Sequence, residues 1–380
     1  MKIAFIGQKG IPAKFGGVET HAQELASRLA GFGNEVVIYV RNNYTDKKIK
    51  KYKGVKLIHL PSIPTKNLDA ISHTFLATMH AIFCDYDVVH YHAIGPSSLS
   101  WMIKIFKPRT VLVATFHCQD YLHKKWSAFA RAYLHFGERM ANTVPNKTIV
   151  VSKSLKKYAE KKYHNAPVFI PNGADIKNNE NISELAGWDI RKKGYILSMG
   201  RLVKHKGVHY LIEAFKQLED TNRLPNNFKL VIVGAGSFTD DYVRYLKTIS
   251  QSRSSIIFTG NQTGDALSQL LSNAYLFVQP SESEGLSIAL LEAMGSGIAP
   301  LASDIAENIE AIGDAGFSFS NKSVESLRDK LAYLMNKPDE VKSMGEKSQE
   351  RISKEFSWKS IAEKTNQLYL ELRKKKEKNM

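Results

Sequence analysis

Short apolar runs alternate with helical patterns along most of the chain, and this alternation limits the folds that it can adopt. The first series of runs is KIAFIG (2–7), EVVIYV (35–40), VKLIHL (55–60), DVVHYH (87–92), TVLVATF (110–116), KTIVVS (147–152) and PVFIP (167–171). Between the first two runs, GVETHAQELASRLAGFG repeats its apolar residues at helical spacing. Strands that alternate with helices predict a parallel sheet covered by helices on both faces.

The alternation pauses at a polar, asparagine-rich segment, ADIKNNENISELAGWDIRKKG (174–194), and then resumes. The second series is YILSMG (195–200), FKLVIVG (228–234), SIIFTG (255–260), YLFVQP (275–280) and IAPLAS (298–303). A chain of 380 residues also exceeds one typical core. We therefore predict two doubly wound α/β domains, residues 1–175 and 195–356, joined by a linker at 176–194. Ligands of such sheets bind outside the carboxyl ends of the strands, so we expect the site in a cleft between the domains.

The two cysteines, Cys84 and Cys118, are too few for a disulfide framework and fit a reduced compartment. The N-terminus, MKIAFIGQKG, has an apolar run too short for the core of a signal peptide. No stretch approaches the roughly 20 apolar residues of a spanning helix. These observations predict a cytoplasmic protein.

The charge is distributed unevenly along the chain. Of the net charge of +16, residues 1–185 contribute +13 and residues 186–380 contribute +3. A basic half suits an anionic partner, namely a membrane surface, nucleic acid or a phosphorylated substrate, although solubility alone is an alternative.

One basic segment, YLHKKWSAFARAYLHFGERM (121–140), interleaves cations with aromatic residues. The cations are Lys124, Lys125 and Arg131, and the aromatics are Trp126, Phe129, Tyr133 and Phe136. A helix of this composition can lie in a lipid headgroup layer. The alternative is that its aromatic residues belong to the core of the first domain.

Two glutamates stand eight residues apart in PSESEGLSIALLEAMGSG (280–297), which follows a predicted strand. Glu284 is expected in the loop, Ser287 at the start of a helix, and Glu292 in its second turn. Helical rise places the glutamates up to about 12 Å apart, so they cannot share one atom as an acid pair would. They could instead bracket a long ligand whose phosphate meets the N–H groups of residues 285–287.

The strand YILSMG leads into MGRLVKHKG (199–207), where Arg201 and Lys206 flank the start of the next helix. Two cations beside a helix N-terminus form a suitable cradle for a diphosphate. The alternative is that both side chains are simply solvated. The nearby VGAGSF (233–238) does not complete a dinucleotide fingerprint, which argues against a nicotinamide site.

The first domain offers a glycine loop and a histidine at expected strand ends. Gly16 and Gly17, in GQKGIPAKFGGVETH (7–21), allow a ligand to approach a helix N-terminus, or only form the turn. His117, in ATFHCQD (114–120), could hydrogen-bond a sugar hydroxyl or shuttle a proton, or be structural. His90 and His92 close a neighbouring strand and compete for the same role. No cluster shows metal-ligand spacing, so no metal site is predicted.

These stretches together resemble glycosyltransferase family 4, whose retaining enzymes have two Rossmann-like domains in the GT-B fold. PSESEGLSIALLEAMGSGIAPLASD is similar to the family's E-x7-E signature, and MGRLVKHKG to its phosphate loop. IPNGAD (170–175), KFGGVETH (14–21) and FHCQD (116–120) match further elements in the expected order. The first half is most similar to a bacterial branch that acts in surface-polysaccharide assembly and includes rhamnosyltransferases.

The resemblance implies a role for each matched residue. Arg201 and Lys206 would hold the donor diphosphate, and Glu284 with Gly285, Leu286 and Ser287 would contact the donor sugar and distal phosphate. Glu292 would accept hydrogen bonds from the ribose. The remaining implied contacts are Gly16 and Gly17 with the phosphate, His117 with the sugar near the reacting carbon, and Asn261 and Gln262 with the base. The helix at 357–380 would pack back on the first domain.

The implied function is transfer of a sugar, with retention, from a dTDP-, UDP- or GDP-sugar to a hydroxyl of a glycan acceptor. The acceptor would be carried on a polyprenyl diphosphate, the enzyme would sit peripherally on the inner face of the cell membrane, and no metal or other cofactor would be needed. Two alternatives stay open, a nucleotide-sugar epimerase of the same fold and a basic nucleic-acid-binding protein.

Overall fold

The structure is a computed structural model that describes residues 1–65, 67–122, 126–237 and 239–378. The chain forms two compact units. The first unit combines Met1–Asn172 with the residues from Trp358 onward, and the second is Gly173–Ser357.

Each unit is built around one sheet. The strands are β1 (Lys2–Ile6), β2 (Glu35–Arg41), β3 (Lys51–Tyr52), β4 (Val55–Leu60), β5 (Val88–His92), β6 (Val111–Phe116), β7 (Lys147–Val150), β8 (Val168–Phe169), β9 (Tyr195–Met199), β10 (Lys229–Val233), β11 (Ile256–Gly260), β12 (Leu276–Gln279), β13 (Pro300–Ser303) and β14 (Phe317–Phe319). The first sheet has the order β3-β4-β2-β1-β5-β6-β7-β8, and the second has β11-β10-β9-β12-β13-β14.

Helices connect the strands. They are α1 (Gly17–Gly31), α2 (Leu68–Ile82), α3 (Ile94–Ser97), α4 (Ser100–Phe106), α5 (Ala128–Thr143), α6 (Lys153–Tyr163), α7 (Val208–Asp220), α8 (Asp240–Ser250), α9 (Gly264–Asn273), α10 (Ile288–Gly295), α11 (Ala306–Ile312), α12 (Val324–Met335), α13 (Pro338–Glu355) and α14 (Trp358–Lys378). Short 3-10 turns lie at Asp120–Leu122, Ser183–Trp188 and Lys204–Lys206. No helix within the described ranges is both long enough and apolar enough to cross a bilayer.

The pairing confirms the predicted α/β class with two parallel sheets. Every strand pair is parallel in the second sheet, and in the first only the edge pair β3–β4 is antiparallel. Both sheets carry the strand order of a dinucleotide-binding fold, with the order reversing between β1 and β5 and between β9 and β12. Ligands of such sheets bind at the reversal, at the carboxyl ends of the strands.

The strands are apolar without alternation because both faces of each sheet are covered. In the second unit, Ile196, Leu230 and Leu276 pack with α7, α8 and α12 in one core. The alternate residues Leu197 and Val231 point to the opposite face and are also fully buried. A strand buried on both faces gains stability from every apolar side chain, at roughly 25 cal/mol per Å² of buried apolar surface.

The C-terminal helix α14 belongs to the first unit, where it packs against α1. Its Trp358 and Tyr369 are 2% and 0% exposed. The Tyr369 hydroxyl lies 2.6 Å from Nδ1 of His90 on β5. A burial of this depth makes α14 part of the core of the first unit.

The polar segment before β9 lies in the second unit. The Ala174 N–H donates to the Phe356 carbonyl at 2.9 Å, and Asn273 Nδ2, at the end of α9, donates to the carbonyls of Asn179 and Asn181 at 3.0 and 3.1 Å. Backbone carbonyls of this segment therefore attach it to the end of α9.

Candidate active site

The second sheet brings Lys206 and Glu284 together at the reversal between β9 and β12. Lys206 ends the turn that follows β9, and Glu284 lies in the loop that follows β12. Lys206 Nζ donates to Glu284 Oε1 at 2.6 Å, and the two side chains are 15% and 9% exposed. Because water screens the pair little at that exposure, the carboxylate fixes the position of the ammonium group.

Gln279, the last residue of β12, links this ion pair to helix α10. Its Nε2 donates to Glu284 Oε1 at 2.7 Å and to Ser281 Oγ at 2.5 Å, and its Oε1 accepts from Ser287 Oγ at 3.3 Å. Gln279 was not among the site residues predicted from the sequence. The available signal was a lone amide at the end of the otherwise apolar run YLFVQP.

Ser287 is the N-cap of α10 rather than its first residue. Its Oγ accepts from the Leu290 N–H at 3.4 Å, and Ile288 begins the helix. Gly285 and Leu286 are buried between Glu284 and this cap. The predicted helix therefore forms, starting one residue later, and Glu292 lies half-buried in its second turn.

Close backbone approach holds the two loops together. The Glu282 N–H donates to the His205 carbonyl at 2.7 Å. Gly207 has φ of 67°, and a Cβ there would lie 1.8 Å from the Pro280 carbonyl oxygen. Only glycine fits such a position, so the loop after β9 and the loop after β12 are fixed against each other.

Arg201 lies beside the ion pair, in a recess that opens to solvent. The recess is lined by Ser198, Met199, Gly200, Arg201, Leu202, Lys206, Val208, Ile232, Val233, Gln279 and Pro280. The Arg201 guanidinium forms no ion pair with any carboxylate in the described parts of the chain. The recess thus combines an uncompensated cation with a lysine held by one carboxylate.

Asn261 and Gln262 lie farther along the same edge. They follow β11, which β10 separates from β9, a distance of about 10 Å at ordinary strand spacing. Asn261 is exposed, and Gln262 Nε2 donates to the Thr259 carbonyl at 2.6 Å. Asn261 and Gln262 therefore lie at the carboxyl edge of the second sheet but outside the Lys206–Glu284 group.

In the first unit, Gly16 and Gly17 form the start of α1. Gly16 is the N-cap with φ of 103°, and a Cβ there would lie 2.2 Å from Oε2 of Glu19. Glu19 is buried and its Oε1 accepts from the Lys9 N–H at 3.1 Å. The glycine is thus required by the turn itself, independently of any ligand.

His117 directly follows β6 and is 6% exposed. Its Nε2 lies 3.4 Å from Nδ1 of His92, the last residue of β5. The ring of His21, on α1, packs edge-on against the His117 ring with centroids 4.8 Å apart. Burial lowers the pKa of His21 to about 4 and lowers the pKa values of His92 and His117 well below their ordinary range, so all three are neutral at pH 7.

The fold brings these three histidines together although their sequence spacing is not that of a metal site. One ring nitrogen from each of His21, His92 and His117 lies within 4.8 Å of the others. Sequence spacing could not reveal it, because the three residues come from α1, β5 and the loop after β6. The available signal was that His92 and His117 both end strands that become neighbours.

His90, Asp85 and Asp87 of the first unit have structural partners. Nδ1 of His90 lies 2.6 Å from the Tyr369 hydroxyl, and its Nε2 lies 2.7 Å from Thr115 Oγ1. Asp87 Oδ2 accepts from the Lys2 N–H at 2.7 Å, at the amino end of β5. Asp85 pairs with Lys107 at 3.0 Å. These residues stabilise the sheet and lie apart from its carboxyl edge.

Comparisons with known proteins agree with this geometry. The chain matches the family described as Glycosyltransferase Family 4 over residues 15–178 and that described as Glycosyl transferases group 1 over residues 184–351. An uncharacterised glycosyltransferase of Methanocaldococcus jannaschii is 24% identical over 361 residues, which are 94% of this chain and 95% of the relative. A phosphatidyl-myo-inositol mannosyltransferase of Mycolicibacterium smegmatis is 24% identical over 362 residues, covering 93% and 90%.

Solved structures share the fold across the whole chain. A sucrose-phosphate synthase from Thermosynechococcus elongatus superposes with a TM-score of 0.82 at 19% identity and covers 98% of both chains. The Anabaena protein HepE, solved in complex with UDP-glucose, gives a TM-score of 0.78 at 20% identity and covers 97% of this chain and 99% of its own. Because the two family matches follow each other along most of the chain, the protein belongs to glycosyltransferase family 4 and is a glycosyltransferase of the GT-B fold.

Proposed function

We propose that this glycosyltransferase moves a sugar from a nucleotide-diphosphate donor to a hydroxyl of a glycan acceptor, with retention at the anomeric carbon. The observation that carries the proposal is the Lys206–Glu284 pair beside Arg201 at the strand-order reversal. Two cations and one carboxylate leave a net positive charge for an anionic group. The complex of the Anabaena protein with UDP-glucose supports a nucleotide-sugar donor.

Arg201 and Lys206 would stabilise the negative charge that develops on the departing diphosphate. Charge-assisted donors that the protein holds in place act strongly, because little reorganisation is needed during the reaction. We propose that these side chains replace a metal ion at the leaving group. The departing phosphate would then accept the proton of the attacking hydroxyl on the same face of the sugar, which gives retention.

Glu284 has a second role in this proposal. Its Oε1 accepts from both Lys206 and Gln279. We propose that its Oε2 accepts a hydrogen bond from a hydroxyl of the donor sugar. Glu292, one helical turn beyond the cap of α10, would accept from the ribose hydroxyls. Asn261 and Gln262 would border the base, while Gly16, Gly17 and His117 of the first unit would meet the phosphate and the sugar.

The acceptor is proposed to be a lipid-linked glycan of a cell-surface polysaccharide. Support comes from an exposed apolar surface on the first unit, here called the α4–α5 surface. It consists of Trp101, Ile105 and Phe106 on α4 with Phe129 and Phe136 on α5, between 39% and 84% exposed. Helices α4 and α5 pack against each other.

Cations accompany the α4–α5 surface. Lys104, Arg109, Arg131 and Arg139 are exposed on or next to the same helices, whereas Lys124 and Lys125 lie outside the described residues. Among the aromatic residues of 121–140, Tyr133 is half-buried and its hydroxyl is hydrogen-bonded to Ser98 Oγ, whereas Phe129 is 84% exposed. Exposed apolar side chains with cations favour peripheral binding to an anionic bilayer. The lipid acceptor named for the mycobacterial mannosyltransferase is consistent with such a location.

The test is transfer by Arg201→Ala and Lys206→Ala variants, measured with a panel of UDP-, GDP- and dTDP-sugars on a lipid-linked glycan acceptor. We expect each variant to lose about 10²–10³-fold in kcat with the preferred donor, as for removal of one preorganised donor at an oxyanion. Lys204→Ala is the matched control, since Lys204 is exposed on the same turn. Wild-type kcat in both variants, with folding intact, would contradict the proposal.

A further inference from the structure

We propose that His21, His92 and His117 form a binding site for a transition-metal cation of the Zn²⁺ class in the first unit. The three side chains are 2%, 0% and 6% exposed. They come from three different elements, and a ring nitrogen of each lies within 4.8 Å of the other two. The site is separate from the Arg201–Lys206 recess, which lies in the second unit.

The distance between His92 Nδ1 and His117 Nε2 already fits a shared cation. The two atoms are 3.4 Å apart. Two imidazole nitrogens on a tetrahedral Zn²⁺, each bonded at about 2.0–2.1 Å, are roughly 3.4 Å from each other. A rotation of the His21 ring that moves its nitrogen by about 1–1.5 Å would complete a set of three ligands.

His21 is oriented for ligation by a second residue. Its Nδ1 lies 2.9 Å from Oδ1 of Asn172, and an amide oxygen can only accept, so Nδ1 carries the proton. Nε2 of His21 is therefore the lone-pair nitrogen, and it is buried without a hydrogen-bond partner. Metal-ligating histidines have this arrangement, with one nitrogen held by an oxygen and the other directed to the metal.

His90 shows how a purely structural histidine of this core differs. Both of its ring nitrogens have hydroxyl partners at 2.6 and 2.7 Å. His92, which stacks on it, has Nε2 buried without a partner. An unmatched buried polar atom costs about 1–3 kcal/mol, and a cation held among the three rings would satisfy the unpartnered Nε2 of His21. Both ring nitrogens of His73 also lack a partner, so the grouping of three histidines, and not burial alone, marks the site.

The donor set selects the kind of cation. Three neutral imidazoles suit Zn²⁺ and its first-row neighbours, whereas Mg²⁺ and Ca²⁺ require oxygen ligands. The fourth position would be filled by water or a small anion. If the proposed function is correct, the cation would bind the ring nitrogen of His117 that would otherwise contact the donor sugar. Zn²⁺ would therefore inhibit sugar transfer.

The experiment uses the full chain without an affinity tag, freed of metal by a chelator and titrated with Zn²⁺ by calorimetry. We expect one equivalent of Zn²⁺ to bind. Asn172→Ala should weaken the Zn²⁺ affinity by about 10–100-fold, because His21 loses the partner that orients it. His21→Gln and His92→Gln should each weaken it by more than about 100-fold, because each removes a ligand. His90→Gln and His59→Gln are the matched controls and should bind within about threefold of wild type.

Metal spectroscopy keeps the inference testable even where a variant fails to fold. Co²⁺ on the wild-type chain should give the intense visible bands of a four-coordinate site, and X-ray absorption of the Zn²⁺ form should show three imidazoles. No binding, a six-coordinate spectrum, or equal affinity in His21→Gln and His90→Gln would overturn the site. These measurements involve no sugar transfer. They would therefore give the same result if the proposed function were wrong, and a failure to bind metal would leave the proposed function untouched.

Discussion

At the scale of single residues, the first unit keeps its buried histidines uncharged. His73, on α2, is fully buried, and burial together with the nearby Arg41 lowers its pKa to about 4. In the unfolded chain the pKa of a histidine is about 6.5. The unfolded state therefore binds a proton at a pH where the folded state does not, and stability falls as pH falls from 6.5 towards 4.

The first prediction concerns this pH dependence. Between pH 7 and pH 5, His73 alone should remove about 2 kcal/mol from the free energy of unfolding, and His21, His90, His92 and His117 act in the same direction. Urea denaturation at both pH values measures the loss. The His73→Gln variant should show a shallower dependence by about that amount. An equal slope in wild type and variant would show that His73 is not the group that titrates.

Some site residues could be predicted from the sequence because their role depends on local position. Lys206 and Glu284 each follow a strand that an apolar run reveals, and parallel strands place their carboxyl ends on one edge. Gln279 and His21 were missed because their role depends on partners. Gln279 becomes informative only when its amide is seen between Glu284 and Ser287. His21 occupies an ordinary position in an amphipathic helix until β5 and β6 bring His92 and His117 beside it.

At the scale of elements, α14 stabilises the first unit through Tyr369. The ring is fully buried and the hydroxyl is hydrogen-bonded to His90. Burial also raises the pKa of Tyr369 well above its ordinary value, so the hydroxyl stays protonated.

The second prediction follows from this contact. Tyr369→Ala should destabilise the first unit by about 3–5 kcal/mol, since it removes a large buried ring. Tyr369→Phe should cost about 1–3 kcal/mol, because it leaves a buried nitrogen of His90 without its partner. Tyr333→Phe is the control, since that side chain is exposed and its hydroxyl donates an exposed hydrogen bond to Glu340. Chemical denaturation measures all three, and a Tyr369→Ala variant as stable as wild type would refute the role of α14.

The strands that the sequence did not reveal, β3 and β14, lie at sheet edges, whereas the equally short edge strand β8 was predicted from PVFIP (167–171). β3 has two residues and β14 has three, and both pair with one neighbour only. An edge strand needs little apolar sequence because only one ladder of hydrogen bonds and few side chains hold it. The longer central strands were predicted because burial on both faces requires continuous apolar runs.

At the scale of the whole molecule, the uneven charge is the property most relevant to where the protein works. Residues 1–185 carry +13 of the net +16, and the α4–α5 surface lies within them. An anionic bilayer attracts cations within about one Debye length, and apolar side chains that enter it add roughly 25 cal/mol per Å² of buried surface.

The third prediction tests this arrangement with vesicles. Wild type should cosediment with phosphatidylglycerol-containing vesicles, less with pure phosphatidylcholine, and less as salt rises. Exchange of Ile105, Phe106 and Phe129 for serine should weaken binding by at least about tenfold, because three exposed apolar side chains are lost. Ile309→Ser, which alters an exposed apolar residue of the second unit, should bind as wild type does. Equal sedimentation with and without anionic lipid would exclude electrostatic attachment.

The position of α14 also bears on how the protein is made. The ribosome completes residues 1–172 first, then the entire second unit, and only afterwards the helix whose Trp358 and Tyr369 fill the core of the first unit. At synthesis rates of about 5–20 residues per second, the early segment waits roughly 10–40 s for that helix. During this interval the side of the first unit that α14 will cover is available to chaperones and to other nascent chains. The second unit, which is contiguous, can complete its core without such a delay, so the segment translated first is the last to mature.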